Sequence, residues 1–292
     1  MEQLNQCPIC GSENRSPFIS CKDHSISKET FHLEKCNACE FVFTNPRPSQ
    51  QEIGPYYDSS AYISHHAQST GIIASIYRAI RNKQFVSKEN IIRSYLRKIE
   101  NILDIGCGTG DFLAYMKSKG VEVTGAEPDK DARNQAQQKG LSIVNPEELS
   151  NLKKRFKVIT MWHVLEHVHL LNERITEISN LLDDGGIAVI AVPNLKSFDA
   201  GYYGSYWAAY DVPRHLYHFS RKNITELFAK QSFKEIGCFP MYYDAYYVSM
   251  KSEEYKNSKL SGFIKGPLIG LISNLSARKT KEYSSQIYVF SK

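Results

Sequence analysis

A short apolar run followed by three closely spaced glycines is the feature that most constrains the fold of this 292-residue chain. The run "NILDI" (101–105) predicts a buried strand. Gly106, Gly108 and Gly110 follow it directly, before the helix-like stretch "DFLAYMKSKG". Glycine accepts positive φ angles and leaves room for a ligand against the main chain. The cluster therefore predicts a tight strand-to-helix turn that lies against a ligand.

Strand-like and helix-like segments alternate from residue 101 onwards. The segments "VEVTGAE", "LSIV", "FKVITMW" and "IAVIAVP" predict further strands, and "FKEIGCFPMYY" and "SQIYVFSK" predict the last two. Apolar strands separated by helices are typical of a parallel sheet covered on both faces. The expected fold class is α/β, with a doubly wound, mostly parallel seven-stranded sheet.

Five of the seven cysteines lie in the first 39 residues. Four of them form two C-x₂-C pairs, which suit a tetrahedral Zn²⁺ site with no open coordination position. A segment this short buries little apolar surface, so a structural metal would supply stability. Cys21 and His24 lie between the pairs as spare candidate ligands. The predicted zinc ligands are Cys7, Cys10, Cys36 and Cys39.

The chain is expected to contain three parts: a zinc ribbon (1–48), a linker and helical connector (49–99), and an α/β domain (100–292) with an insertion at about 242–283. Hydrophobic residues make up 42% and charged residues 23%, which is ordinary for a globular protein. Neither a long apolar run nor a signal-like amino terminus is visible, so a cytoplasmic location is expected. A formal charge of +5 favours no class of partner.

The glycine spacing excludes two common nucleotide sites. The sequence "GCGTG" departs from the dinucleotide pattern G-x-G-x-x-G, and no lysine follows Gly110 as a P-loop would require. Asp104 ends the first strand of the α/β domain and Glu127 ends the second. In doubly wound sheets ligands bind beyond the carboxyl ends of the strands. A carboxylate at Glu127 can there accept hydrogen bonds from both hydroxyls of a ribose.

The stretches "ILDIGCGTG" and "TGAEPD" resemble the first two motifs of class I S-adenosylmethionine-dependent methyltransferases, over about residues 100–240. The resemblance implies that Asp104 faces the cationic end of the cofactor and that Glu127 binds its ribose. It places an adenine-contacting residue after the third strand, where Asn145 is the first candidate and Glu147 the second. The cofactor-binding residues expected are Asp104, Gly106, Cys107, Gly108, Gly110, Glu127, Pro128, Asn145, Trp162 and His163.

The whole architecture also resembles zinc-ribbon methyltransferases of sugar and polysaccharide biosynthesis. In the sugar C-methyltransferases a histidine before an "FS" helix start acts as base, and His215 in "RHLYHFS" matches it. Arg214 stands where that pattern has an acid, and Val212 where it has a tyrosine. The catalytic candidates are His215 and His163, with His218 as a competitor. The resemblance implies a small-molecule acceptor, such as a nucleotide-linked or lipid-linked sugar.

Two other functions remain open at this point. An RNA methyltransferase would use the ribbon to bind RNA, but residues 1–48 hold five Lys/Arg and six Asp/Glu, which disfavours a nucleic-acid partner. A non-catalytic protein could bind the cofactor as a sensor. The spacing of His163, Glu166 and His167 also leaves a metal site open.

Two further segments of the chain have alternative interpretations. The aromatic-rich segment 202–210 predicts either a substrate wall or a packed connector. Residues 251–282 carry seven Lys/Arg and three Glu among apolar residues. This insertion predicts a lid, a peripheral membrane contact or an ordinary packed excursion.

Overall fold

A computed structural model describes residues 1–57, 72–256 and 259–292 of the chain. Its strands and helices alternate along the α/β part as the sequence predicts. The strands are β1 (Arg15–Lys22), β2 (Thr30–Cys36), β3 (Val42–Thr44), β4 (Asn101–Ile105), β5 (Glu122–Ala126), β6 (Ser142–Val144), β7 (Phe156–Trp162), β8 (Leu182–Pro193), β9 (Tyr217–His218), β10 (Lys234–Pro240) and β11 (Ser285–Ser291). The α-helices are α1 (Ile72–Tyr95), α2 (Asp111–Ser118), α3 (Lys130–Gln138), α4 (Leu171–Leu181), α5 (Phe198–Tyr203), α6 (Arg221–Ala229), α7 (Tyr242–Tyr255) and α8 (Lys259–Thr280).

Seven strands form one hydrogen-bonded sheet in the order β10-β11-β8-β7-β4-β5-β6. Strand β4 pairs in parallel with both β5 and β7, and β5 pairs in parallel with β6. The chain order reverses beside β4, so the carboxyl ends of β4 and β7 flank the switch point where open α/β sheets bind ligands. The predicted α/β class with a mostly parallel seven-stranded sheet is confirmed.

The described residues divide into two compact units. The first unit holds residues 1–57, 163–175, 191–256 and 259–289, and the second holds 72–162, 176–190 and 290–292. The sequence-derived bounds of 1–48, 49–99 and 100–292 stay predictions.

In the first unit, a second sheet has the strand order β1-β2-β3-β9. Its fourth strand comes from far along the chain, because Tyr217 and His218 pair antiparallel with Phe43 and Val42. The aromatic segment 202–210 is divided between two environments: Trp207 and Tyr210 are buried in the core, whereas Tyr202 and Tyr206 are exposed. Trp207 and Tyr210 are therefore part of a packed connector, and a substrate wall at Tyr202 and Tyr206 stays a prediction.

In the second unit, α1 lies within the predicted linker and helical connector (49–99). Residues 58–71 of that connector lie outside the described residues. Strands β4 and β7 are almost wholly buried, as their continuous apolar runs predict. Helix α3 begins at Lys130 because the Asp129 side chain caps it by accepting a hydrogen bond from the Ala132 N–H. The segment "DDGG" (183–186) lies inside β8, and Gly185 takes a φ of 68° there.

The predicted insertion at about 242–283 consists of α7 and α8, which pack against each other before the chain enters β11. Within the described ranges, none of the helices combines the length and the apolar character that crossing a bilayer requires.

Candidate active site

The turn after β4 has the backbone that its glycines predict. Gly106, Gly108 and Gly110 take φ angles of 73°, 55° and 76°. The Gly106 N–H donates to the Ala126 carbonyl at 2.7 Å, which ties the turn to β5. A Cβ atom at Gly110 would lie 2.5 Å from Leu141 Cδ1, so the start of α2 packs too closely for any side chain there. Glycine is therefore required in this turn for two reasons, the backbone conformation and the close packing.

Glu127 follows β5 and points its carboxylate at that turn. One carboxylate oxygen accepts the Gly108 N–H at 2.8 Å and the other accepts the Asp129 N–H at 3.0 Å. Burial raises the pKa of Glu127, and the two N–H donors act in the opposite direction. A carboxylate has about four lone-pair positions. Two backbone donors therefore fix its orientation and leave acceptor capacity for a diol.

Asp104 lies at the carboxyl end of β4 and is 2% exposed. The Thr160 hydroxyl donates to its carboxylate at 2.6 Å. Burial raises the pKa of Asp104 to about 7, although the Thr160 hydrogen bond and the charge of Lys88 oppose the rise. A cation bound nearby would favour the ionised form of this carboxyl group. The position suits the positive end of a ligand.

Trp162 ends β7 on the same side of the switch point. Its indole Nε1 is buried and has no hydrogen-bond partner among the residues that the structure describes. Phe112 packs edge-on against the ring, and the Lys88 ammonium lies 4.0 Å from the ring centroid. No sequence pattern indicated Lys88 or Thr160, because Lys88 lies in the connector helix and Thr160 is a neutral residue inside a strand.

The remaining cofactor candidates are Cys107, Pro128 and Asn145, and their contacts with other residues do not assign them a role in cofactor binding. Cys107 is half-buried, and its sulfur packs so close to Gly125 that a Cβ there would lie 2.6 Å away. Pro128 is exposed directly after Glu127. The Asn145 side chain caps the 3₁₀ turn at Pro146–Asn151 by accepting a hydrogen bond from the Glu147 N–H. The roles of these residues toward a cofactor stay predictions.

His163 is the residue after β7 and takes a left-handed backbone conformation, with φ 57°. Its Nε2 lies 2.9 Å from the Asp244 carboxylate, and its Nδ1 lies 3.3 Å from Glu166. Burial alone would lower the pKa of His163, but the two carboxylates outweigh it and raise the pKa to about 10. Strained non-glycine residues often cluster at functional sites. Here the left-handed backbone places the His163 ring between the carboxylates of Glu166 and Asp244.

A second cluster joins Glu166, His167 and His215, whose ligand atoms all lie within 4.8 Å of one another. His215 Nδ1 lies 2.8 Å from the Ala209 carbonyl, and His167 Nδ1 lies 3.0 Å from the Arg214 carbonyl. A carbonyl oxygen only accepts, so each Nδ1 donates a hydrogen. Burial lowers the pKa of His167 to about 4. The cluster has the donor types and hydrogen-bonded histidines found at divalent-cation sites.

Arg214 links two segments of the first unit. Its guanidinium contacts the Asp211 carboxylate at 2.6 Å and Asp23, in the loop between β1 and β2, at 3.1 Å. Burial opposes the charge of Arg214, yet the two acids outweigh it and raise its pKa. The Asp211 carboxylate is also 4.0 Å from His215 Nε2. No sequence pattern indicated Asp23, Asp211 or Asp244, because ion-pair partners that are distant along the chain follow no periodic pattern.

The four predicted zinc ligands lie together. The sulfurs of Cys7 and Cys39 are 3.5 Å apart, as are those of Cys10 and Cys36. All four sulfurs lie within 4.8 Å of one another. Tetrahedral zinc with Zn–S bonds of about 2.3 Å holds its sulfurs about 3.8 Å apart, so the donor set and the spacing fit this metal. Cys21 packs in the apolar core instead, and His24 stacks on Tyr255.

The first unit also contains a small pocket. Its lining includes Cys21, His24, Trp207, Tyr210, Arg214 and Tyr255. Its interior has room for about one water molecule. The pocket is therefore too small to hold a small-molecule ligand.

Comparison with known proteins agrees with these features. Residues 71–236, more than half of the chain, match the family described as a methyltransferase domain. The ubiquinone biosynthesis O-methyltransferase of Pelagibacter ubique is 33% identical over 165 residues, which cover 48% of this chain and 68% of that protein. The protein of the same name in a Ruegeria species is 34% identical over 140 residues, which cover 44% of this chain and 56% of that protein. The second alignment thus spans little more than half of the relative's length.

A solved structure supports the fold separately. Magnesium protoporphyrin IX methyltransferase from Synechocystis, crystallised with bound SAH, superposes with a TM-score of 0.53 and 13% sequence identity. The superposition covers 80% of this chain and 95% of that one. At this identity the likeness concerns the fold alone. The family match, the glycine turn between Asp104 and Glu127 and this shared fold agree. Together they identify the chain as a member of the class I S-adenosylmethionine-dependent methyltransferases.

Proposed function

We propose that this chain transfers a methyl group to a hydroxyl of a small-molecule acceptor, and that His215 is the base. The observation that carries the proposal is the hydrogen bond between His215 Nδ1 and the Ala209 carbonyl. It fixes the ring so that Nε2 presents a lone pair, which is what a general base needs. The O-methyltransferase names of the relatives above support a hydroxyl acceptor.

On the cofactor side, four features of the second unit would hold S-adenosylmethionine. Glu127 would accept hydrogen bonds from the ribose hydroxyls, and Asp104 would meet the positively charged end. The turn at Gly106 and Gly108 would lie against the methionine portion, and the buried Nε1 of Trp162 would gain a partner. When bound, this cofactor supplies a methyl group activated by its positive sulfur. The protein's contribution is orientation, which alone lowers barriers by several kcal/mol, about 7–11 at best.

On the acceptor side, the two catalytic candidates take different roles. With its pKa raised to about 10, His163 carries a proton at neutral pH and cannot act as base. We assign His163 a positioning role between Glu166 and Asp244. His215 would take the acceptor proton at Nε2, and the nearby Asp211 carboxylate would stabilise the imidazolium that forms. Arg214 would hold Asp211 in place.

The sequence resemblance and the relatives named above point to different acceptors. A sugar hydroxyl, expected from the sequence resemblance, remains a prediction, because the relatives named above belong to ubiquinone biosynthesis. An RNA acceptor is disfavoured by the slightly acidic amino-terminal segment.

We also propose that Cys7, Cys10, Cys36 and Cys39 bind a structural zinc ion. Four thiolates leave no open position for a substrate. The ion would fix the two cysteine turns next to β2 and β3. Asp23, in the loop between β1 and β2, contacts Arg214, so the amino-terminal segment reaches the loop that carries His215.

The test is methyl transfer from labelled cofactor to a panel of sugars, phenolic compounds and RNA. We expect transfer to a small hydroxyl compound and a loss of at least about 100-fold in kcat for His215→Asn, with unchanged cofactor affinity. His32→Asn, at an exposed position on β2, is the matched control and should behave as the wild type. Transfer to RNA alone, or full activity in His215→Asn, would refute the proposal.

A further inference from the structure

The helices of the insertion, α7 and α8, expose apolar side chains to an unusual extent. On α8, Phe263 and Ile264 are 77% and 76% exposed, and three leucines are between 43% and 51% exposed. On α7, three further large side chains are exposed at spacings of four and three residues. These are Tyr243, Tyr247 and Met250.

The exposed residues of α8 form one face rather than a scatter. Ile264, Leu268, Leu271 and Leu275 recur at intervals of four, three and four residues, the spacing that places side chains on the same side of a helix. Single exposed apolar residues are normal on protein surfaces, whereas contiguous apolar faces mark interaction sites.

The opposite face of α8 is already used for packing. A Cβ atom at Gly266 would lie 2.8 Å from Met250 Cα, and one at Gly270 would lie 2.8 Å from the Ala245 carbonyl oxygen. Glycine at these positions therefore lets α8 lie directly against the backbone of α7. Farther along, the Ser273 hydroxyl donates to the buried Asp199 at 2.6 Å. The orientation of α8 is thus fixed, and it leaves the leucine face outward.

Charge selects among the surfaces that could cover this face. Helix α8 contains four Lys/Arg residues and no Asp or Glu. Arg278 and Lys279 lie three and four residues beyond Leu275, and both are exposed. Lys265 is exposed directly after Ile264. An exposed apolar stripe that is bordered by cations offers both apolar area and electrostatic attraction to a surface of anionic lipids.

We propose that the exposed face of α7 and α8 docks on an anionic phospholipid bilayer. The leucine face would enter the interfacial region, and Lys265, Arg278 and Lys279 would contact lipid phosphates. A second copy of the chain is a poorer occupant, because self-association through this face would bring the cations of both copies together. The docking does not depend on the identity of the methyl acceptor.

The position of α7 gives this docking a consequence for the active site. Asp244, in the first turn of α7, pairs with His163. The helix pair that would touch the bilayer therefore also holds a side chain of the proposed catalytic segment. An acceptor dissolved in the bilayer, with an apolar tail and a hydroxyl-bearing head, fits such an arrangement.

Vesicle flotation of the full chain tests the proposal. The vesicles are phosphatidylcholine alone, or phosphatidylcholine mixed with an equal amount of phosphatidylglycerol. We expect flotation with the anionic vesicles that weakens as salt rises. Leu268→Glu combined with Leu271→Glu should lower the bound fraction at least about tenfold, because two interfacial side chains become charged. Arg278→Gln combined with Lys279→Gln should weaken binding to the anionic vesicles about tenfold.

Two controls keep the outcome clear. Leu170→Glu changes an apolar residue that is 58% exposed elsewhere in the first unit and should float as the wild type does. Circular dichroism and cofactor affinity confirm that each variant is folded. The proposal is overturned if the wild type binds neither vesicle, or if the Leu268/Leu271 variant binds as strongly as the wild type. A dimer in solution that this same variant dissociates would assign the face to a second copy instead.

Discussion

Replacing Gly110 with alanine tests whether the turn after β4 depends on glycine for two separate reasons. The first is conformational, because Gly110 has φ 76° and a left-handed conformation costs an L-residue about 1–2 kcal/mol. The second is steric, because a Cβ would lie 2.5 Å from Leu141 Cδ1 and 2.9 Å from Ala136 Cβ. Overpacking of this kind costs about 1–3 kcal/mol. The free energy of unfolding should therefore fall by about 2–5 kcal/mol.

Gly120→Ala is the matched control, because Gly120 has φ 81° and open space where its Cβ would be. Only the conformational cost of about 1–2 kcal/mol applies there. Urea unfolding followed by circular dichroism measures both variants, and equal slopes justify the comparison. We expect Gly110→Ala to be the less stable variant by about 1–3 kcal/mol and to bind the cofactor more weakly. Equal losses in the two variants would show that Leu141 and Ala136 do not limit this site.

Three further predictions concern the first unit. The folded-state pKa of His163 is raised from 6.5 to about 10, so its stabilisation is fully present below about pH 6.5 and is lost as pH rises through about 10. Because His163 is partly exposed, the effect is discounted, and His163→Gln should lower the free energy of unfolding by about 2 kcal/mol at pH 6. This loss of stability should vanish near pH 10. A loss that does not change with pH would contradict the ion-pair account. Glu40 has φ 65°, so Glu40→Gly should raise stability by about 1 kcal/mol and Glu40→Ala should not, as chemical denaturation can show. Elemental analysis should find one zinc per chain in the wild type and in Cys238→Ser but none in Cys10→Ser, and zinc retained by Cys10→Ser would contradict the four-cysteine site.

Sequence patterns predicted those features of the structure that are determined by residues close together in the chain. The glycine turn and Glu127 follow from strand ends in a parallel sheet. The two cysteine turns follow from C-x₂-C spacing. Their backbones agree in detail, since the N–H groups of Gly11 and Glu40 donate to Cys7 and Cys36. Gly11 and Glu40, which follow the two cysteine pairs, both take a left-handed conformation, with φ 75° and 65°.

Features that join distant parts of the chain could not be predicted in this way. The two-residue strand β9 is too short to show any hydrophobic alternation, so its pairing with β3 is invisible in the sequence. The contact between His163 and Asp244 crosses 81 positions, and that between Asp23 and Arg214 crosses 191. Such pairs depend on tertiary packing, and a single sequence has no periodic signal for them.

Calorimetric titration with S-adenosylmethionine is the most direct test of the central claim, that the turn after Asp104 and the carboxylate of Glu127 form the cofactor site. We expect the wild type to bind, and Glu127→Ala to bind about 100-fold more weakly, because two hydrogen bonds to a charged group contribute about 3 kcal/mol. Glu122→Ala, on the exposed start of the same strand β5, should bind like the wild type. Absence of binding heat in the wild type, or equal affinity in Glu127→Ala, would contradict the account.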